Sequence, residues 1–341
     1  MPQRPKVLPR HALSGYATFA TVFLASTAFA FKPNATGHLG ITRDAVTSTS
    51  RTIGGKTLKF SSKALTQINE ANKDTDCLRC QANASFHFDD EAFPAGTNRL
   101  LILKDRIIRA LTLPCPDGVS ARRDLGSALH SIQDFYAHST WVDLGNSSIQ
   151  NALGRSMLGS LPLSTATCPG PRGVLGGAGT SSLTSGYFQI PLCEPPAGKC
   201  IHGIPFECPD GLNKDDPSRP GFTPARSLAL EASKDFINQV LDDSRLVGNA
   251  RALKALMDIG GTLAMVIDDT GSMGPILDEV KSSAANIVTS VRGTVDVSVH
   301  RLRRRGPAER VTQGEETEQA VRAGGRRKPS SGTRGRCDSA A

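Results

Sequence analysis

The chain has 341 residues, of which 38% are hydrophobic and 21% charged, so it is long enough for two domains and can bury a core. No apolar run reaches the roughly 20 residues that span a bilayer as a helix, which argues against stable membrane insertion. The net charge of +8 comes mainly from the end of the chain. Residues 301–341 contain 11 Lys and Arg against 5 Asp and Glu, a net of +6, which leaves +2 for residues 1–300. This distribution does not indicate a nucleic-acid-binding surface.

The first 30 residues have the pattern of a secretory signal peptide. Three basic residues precede a largely apolar, uncharged stretch over residues 16–29, which ends in the small–x–small triplet Ala28-Phe29-Ala30. An uncleaved membrane anchor is the alternative interpretation. We predict cleavage after Ala30, a mature chain that begins at Phe31, and secretion to an oxidising extracellular compartment.

The cysteines fit this compartment. There are eight, at Cys77, Cys80, Cys115, Cys168, Cys193, Cys200, Cys208 and Cys337. Cys77 and Cys80 have the spacing of half a zinc ribbon, but no second pair follows at matching spacing, so disulfides are the favoured interpretation. Seven cysteines lie in the body of the chain, so one is free or pairs with Cys337 or another chain. If the host is a eukaryote, candidate N-glycosylation sequons begin at Asn34, Asn83 and Asn146.

Hydrophobic spacing predicts four helices, over residues 61–72, 97–113, 121–140 and 224–246. Between the last two helices, residues 145–222 are rich in Gly, Pro and Ser and contain cysteines. This segment is either irregular but held by disulfides or a long loop. Residues 31–260 are therefore predicted to form an all-α domain.

The hydrophobic pattern changes after residue 260. A continuous apolar run over residues 263–267 predicts a buried parallel strand. An amphipathic helix over 275–291 and a short strand over 295–299 complete one β-α-β unit, within residues 261–300. From residue 301 onward large apolar side chains are nearly absent, which predicts a disordered basic tail over 301–341. A nuclear or nucleic-acid role for its arginines conflicts with the signal peptide.

The stretch from residue 124 to 145 contains the main candidate site. His130, Asp134 and His138 are spaced i, i+4 and i+8, so a helix places them on one face. The opposite face carries apolar residues at Leu125, Ala128, Ile132, Phe135 and Tyr136. Imidazole and carboxylate at this spacing can share a divalent cation, usually zinc, whereas a solvated polar face is the alternative interpretation. Further candidates, if they converge on the same face, are His38, His87, Asp89 and His202.

These motifs also carry a family resemblance. ALHSIQDFYAHSTWVDLG, with FHFDDE, LTSGYF, PAGKCIHG, LNKDD and PGFTP, resembles the amino-terminal region of secreted von Willebrand factor A domain-containing proteins of the number-seven type. That region is similar to the fungal heterokaryon-incompatibility Het-C proteins, and the resemblance covers roughly residues 36–300. More distantly, the H-x-x-x-D helix resembles that of bacterial zinc phospholipase C and related zinc nucleases, which are all-α.

The loop after the first predicted strand adds a second motif. Asp268, Thr270 and Ser272 match the D-x-[S/T]-x-S metal-ion-dependent adhesion site of von Willebrand A domains, and the resemblance implies that it binds Mg²⁺ or Mn²⁺. A helix cap is the alternative interpretation. The family's site also needs a threonine and an aspartate from two later loops, so we expect residues 261–300 to form an incomplete A domain with an incomplete magnesium site.

The sequence thus predicts a mainly α, secreted protein: an all-α metal-binding domain, an incomplete α/β unit and a disordered tail. The leading function is extracellular, cation-dependent binding of a protein partner, with zinc in the helical domain. No oligomeric state is predicted. The alternative is a zinc-dependent phosphoester hydrolase, in which metal-activated water is held by His87, Asp89, His130, Asp134 and His138. An open coordination position beside a cleft distinguishes the enzyme from a closed structural site.

Overall fold

The protein is mainly helical, as predicted. The computed structural model describes residues 36–77, 79–170, 173, 175, 182–188, 194–203, 208–260, 262–268, 276–291 and 296–302. These residues contain eight helices and four short strands. None of these helices is both long and apolar enough to cross a membrane.

The part before residue 260 contains seven helices and one hairpin. The helices are α1 (His38–Ser48), α2 (Ser62–Asp74), α3 (Ala84–His87), α4 (Phe93–Thr112), α5 (Gly118–His138), α6 (Phe222–Leu241) and α7 (Ala250–Met257). The hairpin pairs β1 (Ser50–Ile53) with β2 (Lys56–Lys59) in antiparallel fashion. The four predicted helices correspond to α2, α4, α5 and α6. The sequence analysis missed the hairpin and the shorter helices α1, α3 and α7. Each of these helices has 11 residues or fewer, which is too short for a clear helical period.

Side-chain caps fix where two of the predicted helices begin. The Ser61 hydroxyl accepts a hydrogen bond from the Ala64 amide at the start of α2, at 3.0 Å. The Asp117 carboxylate accepts one from the Ser120 amide at the start of α5, also at 3.0 Å. This cap is why α5 begins before the predicted start at Ala121.

Helix α5 is the centre of the domain. It packs against α2, α4, α6 and α7, and 16 of its 21 residues are buried. Its apolar face lies in the hydrophobic core with side chains of α4 and α6. Both faces of this helix are therefore enclosed by protein.

Gly126 allows α5 to approach α2 closely. A Cβ atom at this position would lie 2.3 Å from the Ile68 carbonyl oxygen and 2.9 Å from the Asn72 amide nitrogen. Both are backbone atoms, which cannot move without shifting a helix. The α2–α5 contact therefore requires glycine here.

We expect Gly126→Ala to reduce the free energy of unfolding by about 1–3 kcal/mol because of this overlap. Alanine's helix propensity, better by about 1 kcal/mol, offsets only part of the loss. Gly159→Ala is the matched control, since nothing lies within 4 Å of a Cβ there. Urea denaturation measures both variants, and equal stability of Gly126→Ala and wild type would contradict the close approach.

The Gly-, Pro- and Ser-rich segment is irregular but cross-linked. Its described residues between 145 and 221 contain no α-helix and no strand longer than a single bridge. A Cys168–Cys200 disulfide closes part of it. Cys77 pairs with Cys80 in a disulfide, so this pair is not half of a zinc ribbon. Cys115 and Cys208 are disulfide-bonded as well, which confirms the expectation of disulfides.

The last described elements form the predicted β-α-β unit. β3 (Thr262–Asp268) and β4 (Asp296–Leu302) are parallel and flank α8 (Leu277–Val291). β4 includes Arg301 and Leu302, which the sequence analysis assigned to the disordered tail. Their pairing with the last residues of β3 extends the strand. The rest of the predicted tail and the predicted signal peptide lie outside the described residues.

Candidate metal centre

The polar face of α5 is buried and faces other protein segments. His130 and Asp134 have no exposed surface, and His138 is 2% exposed. The face is covered by α1, by α3 and by the irregular segments that follow α2 and precede α6. It is therefore not a solvated polar face.

Five side chains from four segments meet around Asp134, and we call them the first cluster: His38, Asp76, His87, His130 and Asp134. Asp134 Oδ2 lies 2.8 Å from His87 Nδ1 and 2.9 Å from His130 Nε2. Asp134 Oδ1 lies 3.2 Å from His38 Nε2. Asp76 Oδ1 lies 3.4 Å from His130 Nε2. The stripe on α5 thus supplies two members, and three others converge on them.

The spacing of these atoms fits a tetrahedral zinc ion. Two ligand atoms that each lie 2.0–2.1 Å from zinc are about 3.3 Å apart at the tetrahedral angle. The distance between His87 Nδ1 and His130 Nε2 is 3.2 Å, and two carboxylate contacts, at 3.2 and 3.4 Å, are close to the same value. The two contacts of Asp134 Oδ2, at 2.8 and 2.9 Å, are shorter and correspond to direct hydrogen bonds. Two buried imidazole nitrogens that face each other at this distance require a proton or a cation between them.

Amide side chains on α2 and α5 orient two of the rings. His38 Nδ1 lies 2.5 Å from Gln133 Oε1, and His130 Nδ1 lies 3.3 Å from Asn72 Oδ1. The Gln133 and Asn72 amide groups both donate to the Thr42 hydroxyl at 3.0 Å. Because Nδ1 faces an acceptor, the proton stays on that nitrogen, and the Nε2 lone pair of each ring points into the cluster.

The electrostatic field of the cluster favours positive charge. Burial lowers the pKa of His130, but Asp134 and Asp76 outweigh it and raise that pKa to about 10. Burial raises the pKa of the Asp134 carboxyl, but His130, His138 and His38 outweigh it and hold the pKa well below its usual range. The carboxylates thus remain ionised and attract either protons or a metal ion to the imidazoles.

Four further side chains form a second cluster: Asp89, His138, His202 and Asp215. Asp89 Oδ1 lies 2.9 Å from His138 Nδ1 and 3.6 Å from His202 Nε2. Asp215 Oδ2 lies 3.4 Å from His138 Nε2. The structure therefore divides the predicted site: His130 and Asp134 lie in the first cluster with His38 and His87, whereas His138 and Asp89 lie in the second.

The sequence analysis missed Asp76 and Asp215 as candidates. Both lie outside the helices, in segments with no periodic pattern that relates them to α5. Their only signal is proximity in sequence to other notable residues, Asp76 beside Cys77 and Asp215 within LNKDD. His202 was a weak candidate in the sequence analysis. It becomes a stronger one in the structure because it lies beside the other members of the second cluster.

A backbone turn after α3 sends His87 and Asp89 to different clusters. Phe88 and Asp90 have φ values of 56° and 54°, and Glu91 has a φ of 56°. Such left-handed conformations are uncommon for residues other than glycine. They turn the chain sharply after His87, so that His87 contacts Asp134 of the first cluster and Asp89 contacts His138 of the second.

One cavity, partly open to solvent, is lined by both clusters. The first cluster contributes Asp76 and His87, and the second contributes Asp89, His138 and His202. Gln81 and Phe188 complete the lining. Its volume of about 20 Å³ gives room for about one water molecule, which would contact residues from both clusters.

The remaining predicted sites are only partly described. Asp268 is the last residue of β3, and Thr270 and Ser272 lie outside the described residues, as does Asn34. Asn83 is exposed at the start of α3. Asn146 is half-buried and donates to the Trp141 carbonyl at 2.9 Å, so Asn83 is the more accessible of these two sequons.

Comparison with known proteins identifies the family of this chain. A sequence model of the VWA7 N-terminal domain matches residues 41–251, which include every cluster member except His38. The von Willebrand factor A domain-containing protein 7 of Homo sapiens is 36% identical over 259 residues, which cover 70% of this chain and 28% of the relative. The corresponding protein of Mus musculus is 34% identical over 250 residues, 68% of this chain and 28% of the relative.

The chain spans little more than a quarter of the length of these relatives. No solved structure matches it. The family match covers the helical domain that carries both clusters, and the chain belongs to the VWA7 N-terminal domain family.

Proposed function

We propose that the helical domain is a zinc-binding domain of a secreted von Willebrand factor A domain-containing protein, and that its cation sits in the first cluster. The observation that carries this proposal is the convergence of imidazole and carboxylate atoms in a buried site. Among the described residues, Asp134 Oδ1 is buried without a hydrogen bond of good geometry, 3.2 Å from His38 Nε2. Such atoms are costly unless a cation satisfies them.

The donor set agrees with zinc. His87, His130 and Asp134 form one group of donors whose ligand atoms lie within 4.8 Å of one another, and His38, Asp76 and His130 form a second group that shares His130. Nitrogen and carboxylate ligands in a four-coordinate arrangement are typical of protein zinc sites. When bound, zinc would cross-link α1, α3, α5 and the loop after α2, and so stabilise the domain.

The intact protein is proposed to bind an extracellular protein partner through its A-type module. The support is the family match together with the β-α-β unit after residue 260. Magnesium at Asp268, Thr270 and Ser272 belongs to this proposal. The disulfides are compatible with an oxidising compartment and therefore with secretion.

The cavity between the clusters favours a second candidate, zinc-dependent phosphoester hydrolysis. A structural zinc site is closed, whereas a catalytic one keeps a coordination position that substrate and water reach. Here Asp76 and His87 of the first cluster line a cavity that is partly open to solvent. Zinc would activate water there, and the neighbouring carboxylates would hold its proton. Metal-dependent cleavage of bis(p-nitrophenyl) phosphate, lost in Asp134→Asn, would establish this activity.

The test of the zinc proposal is a pair of matched variants in α5. Asp134→Asn keeps the volume of the side chain but removes a ligand, so we expect zinc affinity to fall by about 100-fold or more. Asp124→Asn removes a carboxylate of the same helix that pairs with the largely exposed Arg106 at 2.9 Å, and it should retain zinc. Zinc is measured by elemental analysis after dialysis of the purified chain. Equal zinc content in the two variants would refute the proposal.

A further inference from the structure

We propose that the second cluster binds a divalent cation of its own, independently of the first. This site consists of Asp89, His138, His202 and Asp215, and its natural occupant is a zinc-type ion. It goes beyond the proposed function, which places one zinc ion in the first cluster. The proposal stands on unsatisfied atoms, on charge and on the rigidity of the ligands.

Buried polar atoms without partners converge on the site. Within the part of the chain that the structure describes, His138 Nε2, His202 Nε2, Asp89 Oδ1 and both Asp215 carboxylate oxygens make no hydrogen bond of good geometry, although Asp89 and Asp215 each lie within ion-pair distance of His138. All four residues are at most 4% exposed. Asp89, His138 and His202 each place a ligand atom within 4.8 Å of the other two, and Asp215 lies beside them. Buried polar atoms of this kind are costly, so their convergence favours an occupant.

The charges in the site require a cation. Among the described residues, no Lys or Arg nitrogen lies within 4 Å of the carboxylate of Asp89 or Asp215. The nearest lysine in sequence, Lys214, points elsewhere and binds Asp143 at 2.8 Å. With both imidazoles in the neutral form that binds a metal, the two carboxylates give the site a charge of −2, which one divalent ion neutralises. Without the ion, burial lowers the pKa of His138, but Asp89 and Asp215 outweigh it and raise that pKa well above its ordinary value, so a proton takes part of the place of the ion.

The two imidazoles present their nitrogens as metal ligands do. His138 Nδ1 donates to the His87 carbonyl at 3.1 Å, and His202 Nδ1 donates to the Gly203 carbonyl at 2.7 Å. A backbone acceptor fixes the proton on Nδ1 and leaves the Nε2 lone pair available. Two imidazole nitrogens with two carboxylate oxygens suit zinc better than the all-oxygen sites of calcium or magnesium.

The segment that carries His202 is fixed before any ion binds. The Cys168–Cys200 disulfide lies two residues upstream, and the His202 amide donates to the Tyr187 carbonyl at 3.2 Å. Gly186 lies so close that a Cβ atom there would be 2.4 Å from the His202 Cα. The backbone next to Asp215 is fixed to that next to His138, because the Lys214 amide donates to the Ala137 carbonyl at 3.0 Å. A rigid ligand set of this kind loses little conformational entropy on binding.

Zinc titration of the metal-depleted full-length chain tests the proposal. Elemental analysis after dialysis should give two equivalents in wild type. Asp215→Asn and His202→Gln should each lose one and keep the other, with at least about 100-fold weaker binding at the altered site. Asp216→Asn is the matched control, since this neighbouring carboxylate binds the Ser218 amide and hydroxyl, and it should keep both.

The possible outcomes separate this proposal from the first. Suppose that wild type binds one equivalent of zinc, and that this ion persists in Asp215→Asn and His202→Gln but is lost in Asp134→Asn. This result overturns the second site and leaves the proposed function intact. One equivalent with the opposite pattern supports the second site and overturns the first. Loss of both ions in Asp215→Asn and His202→Gln, with an unchanged near-ultraviolet circular dichroism spectrum, overturns the independence of the two sites.

Discussion

Removal of zinc with a chelator is expected to lower the melting temperature of the protein by about 10 °C or more. An ion present at about 1,000 times its dissociation constant stabilises the folded state by about 4 kcal/mol. In a domain of this size each kcal/mol corresponds to about 2–4 °C. The effect is this large because the clusters are buried: without an ion, only protons on His130 and His138 offset the charge of the carboxylates.

Differential scanning calorimetry with and without chelator measures this shift, and re-addition of zinc should reverse it. The double variant Asp134→Asn/Asp215→Asn is the control, because it lacks a carboxylate in each cluster and should melt at the same temperature with or without chelator. An unchanged melting temperature in chelator-treated wild-type protein, after elemental analysis has shown that zinc was removed, would contradict a stabilising role for the metal.

Lys199→Met is expected to destabilise the fold by about 3–5 kcal/mol. The Lys199 ammonium has no exposed surface and lies 2.7 Å from Glu91 Oε2. The other carboxylate oxygen, Oε1, accepts hydrogen bonds from the Thr184 hydroxyl at 2.6 Å and the Thr167 hydroxyl at 3.1 Å. Removing the ammonium leaves a buried carboxylate without its counter-ion, which is one of the largest penalties that a single substitution causes.

A double-mutant cycle separates this penalty from the loss of packing. Adding Glu91→Gln to Lys199→Met removes the unpaired charge and should restore part of the stability. Arg155→Met is the matched control, because Arg155 and Asp235 form a pair of the same length, 2.7 Å, that is partly exposed. We expect it to cost at most about 1 kcal/mol. Guanidinium denaturation measures wild type, Lys199→Met, Glu91→Gln, the double variant and Arg155→Met. Equal losses for Lys199→Met and Arg155→Met would contradict the assignment.

The Glu91–Lys199 ion pair stabilises the segments that carry the second cluster as well as the fold. Glu91 follows Asp89 by two residues, and Lys199 precedes His202 by three. The pair therefore joins the two segments that supply Asp89 and His202. Lys199→Met should therefore loosen the second cluster more than the first. As the chelator concentration rises, this variant should lose the zinc ion of the second cluster before that of the first.

The sequence by itself determined the helical class and the centre of the site. Apolar residues at helical spacing predicted α2, α4, α5 and α6, because a periodic apolar stripe must be buried wherever the helix lies. The same reasoning placed His130, Asp134 and His138 on one face of α5. A continuous apolar run after residue 260, followed by an amphipathic helix and a second short strand, predicted a β-α-β unit with parallel strands, and β3 and β4 pair in that way.

The tertiary structure alone decided which ligands belong together. His130 and His138 share a helix face but lie two turns apart, and different segments cover them. Helices α1 and α3 cover His130, whereas the irregular segments with His202 and Asp215 cover His138. Asp76 and Asp215 lie in turns and irregular chain, where no local period relates a residue to a distant helix. Convergence of this kind depends on long-range packing and on the Cys168–Cys200 disulfide, and these are properties of the folded chain as a whole.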